Sequence, residues 1–68
     1  MQLSARNQLK GKVKSVKTDG LMAEVTVDVG GGNELVSTIT RASAENLGLK
    51  SGDAVTVIIK ASEVLVAK

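Results

Sequence analysis

The chain has 68 residues, nine Lys/Arg against seven Asp/Glu, and a formal charge of +2 with no His. It contains no Phe, Tyr, Trp, Cys or Pro. These absences exclude aromatic stacking, disulfide bracing, thiol or imidazole catalysis and a His/Cys zinc site, and they leave one small domain whose core must come from aliphatic side chains.

"SARN" (Ser4 to Asn7) is a compact hydrogen-bonding segment ahead of the first strand. From Gln8 to Val16 polar and apolar residues alternate, with Lys10, Lys12 and Lys14 on one face, so this stretch reads as a strand. Its phase slips near Ser15 and Val16, which predicts a bulge there. "TDG" (Thr18 to Gly20) is a turn. "LMAEVTVDV" alternates strictly, placing Leu21, Ala23, Val25, Val27 and Val29 on one face and Glu24, Thr26 and Asp28 on the other, the pattern of a half-buried strand.

"GGGN" (Gly30 to Asn33) closes a hairpin, since Gly and Asn accept positive φ; a phosphate cradle would need a helix start and a P-loop lysine that do not follow. "ELVSTIT" is a third strand. "RASAENLGLKSGD" reads as one short helix with Thr40 or Ser43 as its N-cap and Gly48 as its stop. "AVTVIIK" and "EVLVA" are the fourth and fifth strands, with "KAS" (Lys60 to Ser62) as the turn between them. Five strands with a short helix between the third and fourth is the element order of an OB-like β-barrel; an open β-sandwich is the alternative with the same elements. No linker or repeat divides the chain, so residues 1–68 read as one domain.

A domain of this size without staples is marginal alone, and oligomerisation is the remaining aid, so a homo-oligomer is expected. The chain has no signal-peptide h-region and no apolar run able to span a bilayer, which predicts a cytoplasmic protein with no membrane partner.

Chemistry narrows the choice further. The acids Asp19, Glu24, Asp28, Glu34, Glu45, Asp53 and Glu63 are scattered through turns and polar strand faces, and no nucleophile–base spacing is present, so the chain does not read as an enzyme. OB barrels hold single-stranded nucleic acid by stacking bases on aromatic rings, at roughly 1–3 kcal/mol per base. This chain has none, and its lysine stripe reads as a solvated strand face. Oxyanion binding is well supplied. Arg, Lys, hydroxyls and turn amides hold such anions, and they gather at Ser4-Ala5-Arg6, at Thr40 to Ser43 and at Lys60-Ala61-Ser62. Each group also has a plain structural reading, as turn closure, helix cap or solvated cation.

"SARNQLKGKV", "TITRASAENLGLKSGD" and "VIIKASEVLVA" together resemble the molbindin family of small molybdate-binding proteins, over essentially the whole chain. The same module recurs in molybdate-responsive regulators and molybdate transporter ATPases. The resemblance implies an OB-like barrel assembled as a hexamer, a trimer of dimers, with molybdate or tungstate held between subunits. It implies oxyanion ligands Ser4, Ala5, Arg6, Lys60, Ala61 and Ser62 from one subunit and Thr40 and Ser43 from the facing one, with no side chain bonded directly to the metal. It also implies a second class of site near the threefold axis, to which no residue is assigned. Asn7 reads as structural, pinning the turn to a neighbouring strand. The expected role is cytoplasmic storage or homeostasis of the oxyanion. An adaptor that reports oxyanion status to a partner protein is the alternative, followed by a single-stranded nucleic-acid-binding domain.

Overall fold

A computed structural model describes residues 4–68. Strands β1 (Asn7–Asp19), β2 (Met22–Gly30) and β3 (Asn33–Thr40) are followed by helix α1 (Arg41–Asn46), strand β4 (Ala54–Ile59) and the 3-10 turn η1 (Ala61–Glu63). The strands form one antiparallel sheet in the order β3-β2-β1-β4. The chain is therefore mostly β, a curled sheet with one short helix between β3 and β4, as the element order predicts.

β1 is long because it serves two partners. Its first half pairs with β4, from Asn7↔Ile59 to Lys12↔Ala54, and its second half pairs with β2, from Lys12↔Asp28 to Asp19↔Met22. The changeover sits at a bulge between Val13 and Ser15, slightly earlier than the phase slip suggested. An extra residue there bends the strand and sharpens its twist. The loop before β4 packs onto the bulge. Val13 N–H donates to the Asp53 carbonyl (2.9 Å), Gly52 N–H to the Val13 carbonyl (2.8 Å) and the Ser51 hydroxyl to the Lys14 carbonyl (3.0 Å).

Gly11 lies at this crossing for a steric reason. A Cβ there would stand 2.5 Å from the Asp28 carbonyl oxygen and 2.8 Å from Val27 Cγ1. The β2–β3 hairpin needs glycine for a different reason, since Gly30, Gly31 and Gly32 all have positive φ, a region that costs a side chain energy.

Val13, Val25 and Val27 form the core, with Val16, Val29, Ile39, Leu49, Val55 and Val57 packed around them. The alternation in β2 holds for Ala23, Val25 and Val27, which are buried; Leu21 belongs to the preceding turn and is exposed. Helix α1 contributes only Ala44 to the buried set. Thr40 is its N-cap, and the turn after it ends at Gly48, whose φ is +62°.

The expected fifth strand is not formed. Residues 64–68 follow η1 without joining the sheet, and Leu65 (95% exposed) and Val66 (92%) face solvent. The physical reason lies in strand pairing. Among the described residues the outer edges of β3 and β4 are both unpaired, and between them opens an apolar cavity of about 370 Å³ lined by Val13, Val25, Val27, Ile39, Leu49 and Val57 among others. The sheet is curled but unclosed.

Candidate functional site

Asn7 and Ile59 are the terminal pair of the β1–β4 ladder, so the residues flanking them leave the sheet at the same end. Arg6 precedes one and Lys60 follows the other. Together with Ser4, Ala5, Ile58 and Ala61 they line a cleft of about 530 Å³. Its lining holds two cations and no carboxylate, a local excess of positive charge that attracts an anion.

Local chemistry fixes both walls. The Gln8 side-chain amide donates to the Ala5 carbonyl at 2.7 Å, folding the Ser4–Arg6 segment against the start of β1. The Asn7 side-chain amide donates to the Ile59 carbonyl at 3.2 Å, tying β1 to the end of β4. Beyond it Lys60 is extended (φ −61°, ψ 129°), and η1 closes with Glu63 N–H donating to the Lys60 carbonyl (2.8 Å).

Five of the eight expected ligand residues, Ser4, Ala5, Arg6, Lys60 and Ala61, therefore share one cleft within a single chain. Ser62 sits in η1 but is not part of the cleft lining. Thr40 and Ser43 lie at the start of α1, outside this cleft. There Ser43 N–H donates to Thr40 Oγ1 (3.1 Å), the expected helix cap, and Thr40 Oγ1 donates to Ser43 Oγ (2.7 Å). With Thr40 donating, the Ser43 hydroxyl hydrogen is free for an external acceptor.

The remaining charged residues do not assemble a second centre. Lys10 and Lys12 are exposed along β1. Lys14 pairs with Glu34 at 2.6 Å, and that hydrogen bond and charge hold its ammonium above the ordinary lysine value. Among the described residues no group of three or more His, Cys, Asp or Glu side chains could hold a metal ion. Ile58 in the cleft and the Gln8 clamp were not anticipated from the sequence. Both lie in the β1–β4 ladder, where Gln8 pairs with Ile58, and that register is not visible in either strand alone.

Residues 3–66 match the TOBE domain. The chain belongs to the TOBE family. A relative from Haemophilus influenzae, described as a probable molybdenum-pterin-binding protein, is 48% identical over 66 residues, covering 97% of this chain and 96% of that one. Among solved structures, a molybdate-binding protein from Sporomusa ovata superposes with a TM-score of 0.93 at 41% identity and covers both chains completely. The cytoplasmic molybdate-binding protein ModG, with molybdate bound, superposes with a TM-score of 0.90 at 45% identity over 96% of this chain and 46% of its own. The molbindin resemblance of the three sequence segments is thus borne out.

Proposed function

We propose that this TOBE chain binds molybdate, or the near-isosteric tungstate, for storage and homeostasis of the oxyanion in the cytoplasm, at sites shared between copies of itself. The observation that carries the reading is the meeting of Arg6 and Lys60 at one acid-free cleft, in a chain whose relatives are molybdate-binding proteins. Arg6 and Lys60 balance the dianion's two charges. The Ser4 hydroxyl and the amides of Ala5, Ala61 and Ser62 donate to its oxygens, and charge-assisted hydrogen bonds of this kind are the strong ones. Thr40 and Ser43, outside the cleft in their own chain, complete the shell from a facing subunit, with the free Ser43 hydrogen as donor. This is binding, with no bond made or broken in the ligand.

The same structure supports assembly. An unclosed sheet with two free edges and an apolar slot between them invites another strand, and the apolar residues Val64, Leu65, Val66 and Ala67 are exposed and outside the sheet. The segment from one copy fills the slot of another, and a hexamer built as a trimer of dimers is the expected product. Among the described residues no helix is long and apolar enough to cross a membrane.

Calorimetric titration of the anion-free protein with sodium molybdate, then with sodium sulfate, tests the reading. Tight molybdate binding with sulfate silent is the expected result, because a rigid cage sized for the larger tetrahedron leaves a smaller one with long, weak hydrogen bonds. Equal weak heats from both anions would reduce Arg6 and Lys60 to a basic surface.

A further inference from the structure

Asn7 and Gln8 are consecutive on β1, so their side chains leave opposite faces of the strand. Each makes one hydrogen bond to a carbonyl beyond its own peptide, and the two acceptors are informative. Gln8 holds the Ala5 carbonyl and Asn7 holds the Ile59 carbonyl. The Ala5 carbonyl shares its peptide plane with the Arg6 N–H, and the Ile59 carbonyl shares its plane with the Lys60 N–H. A peptide unit is rigid and planar, so fixing the carbonyl fixes the direction of the following N–H and the Cα from which the cationic side chain departs. The described residues contain no cis peptide, so in both units the N–H points away from the held oxygen.

We propose that Asn7 and Gln8 are the positioning residues of the oxyanion site. They lock the Ala5–Arg6 and Ile59–Lys60 peptide planes, and so set the gap across which Arg6 and Lys60 face one tetrahedral dianion. The proposal rests on the oxyanion reading above and adds to it the source of size selectivity. A binding constellation discriminates only as finely as its supporting hydrogen bonds hold it. Ser4, Arg6, Lys60 and Ala61 are all exposed and outside regular strand or α-helix, so their spacing is not set by core packing. The two amides anchor these turns to the β1–β4 ladder instead.

The test is calorimetry with sodium molybdate and sodium sulfate on wild type, Asn7→Leu and Gln8→Met, each checked for mass by sedimentation and for thermal unfolding. Both substitutions are neutral and close in shape, and they remove only the donor. The expected result is assembled protein that binds molybdate about tenfold more weakly, the scale on which outer residues that orient ligands act. Sulfate binding is unchanged or slightly stronger, so the molybdate-to-sulfate ratio narrows. Unchanged affinities and ratio, with only a lowered melting temperature, would make the amides structural and overturn the proposal. Should Asn7→Leu fail to fold, Gln8→Met decides, because Gln8 is exposed and its loss leaves the ladder intact. Wild-type protein that takes up no molybdate would overturn the oxyanion reading itself, and the proposal with it.

Discussion

Arg6 and Lys60 come from opposite ends of the chain and meet because Asn7 and Ile59 pair at the end of one ladder. A slip of one residue in that register would send Lys60 away from Arg6, since successive residues of a strand face opposite sides. The site therefore depends on the pairing of β1 with β4 before it depends on any ligand.

Removing either cation tests that relationship. Arg6→Ala and Lys60→Ala are each expected to weaken molybdate binding by about 1.5–3 kcal/mol, the range for a hydrogen bond to a charged group. Assembly should survive, because neither side chain is buried. Lys12→Ala, on the exposed stripe of β1, is expected to leave the binding isotherm unchanged. Titration calorimetry and sedimentation read both quantities.

Thr40 and Ser43 separate capping from binding. Thr40→Ala removes the acceptor of the Ser43 N–H, and loss of such a cap costs about 0.5–2 kcal/mol. Urea unfolding should show that loss. Ser43→Ala keeps the backbone donor and the cap, so its stability should match wild type while molybdate affinity falls. Equal destabilisation by both variants would show that the Ser43 hydroxyl is part of the cap.

On the proposed assembly, the C-terminal segment of one copy fills the apolar slot of another. Leu65→Asp combined with Val66→Asp places two charges where the slot of another copy expects apolar side chains. Sedimentation should then give a mass near the 7.0 kDa of one chain, with molybdate binding lost as well. A double variant of unchanged mass would place the subunit contact elsewhere.

Gly11 is expected to tolerate no side chain. Gly11→Ala puts a methyl group 2.5 Å from the Asp28 carbonyl oxygen, and overpacking of this kind costs about 1–3 kcal/mol. Its φ is not positive, unlike that of Gly31, so the loss comes from contact and not from backbone conformation. Denaturant unfolding measures it.

The Lys14–Glu34 pair should matter little, and what it contributes should be lost at high pH. Glu34 raises the Lys14 ammonium above its ordinary value of 10.5. A raised lysine stabilises the fold fully below the unfolded value and loses that effect as pH rises through the folded value. The pair is solvent-exposed, where screening leaves little net gain. Lys14→Met is therefore expected to lower the urea midpoint little or not at all from pH 6 to pH 9, and whatever difference from wild type exists there should disappear as pH rises above about 10.5.

Much of the architecture was legible along the chain. The period-two run from Ala23 to Val29, the glycines of the β2–β3 turn, a cap at Thr40 or Ser43 and Gly48 as stop are local signals, each set by the conformational preferences of a few neighbouring residues. The expected ligand groups rest on the clustering of Arg, Lys and hydroxyls at element boundaries and on three segments that carry the molbindin pattern. The fifth strand was misjudged as part of a single chain. "EVLVA" has strand composition, but a strand also needs an edge to pair with, and composition does not say where that edge is.

The sequence by itself determined the first four strands, where they turn, and that the core is aliphatic and small. Only the tertiary structure decided that Arg6 and Lys60 share a cleft, that Thr40 and Ser43 stand apart from it, and that the sheet stays open between β3 and β4. The physical reason is range. Turn and strand preferences act between neighbours in the chain, whereas register, sheet closure and the meeting of two terminal cations arise from hydrogen bonds and burial between residues far apart in it.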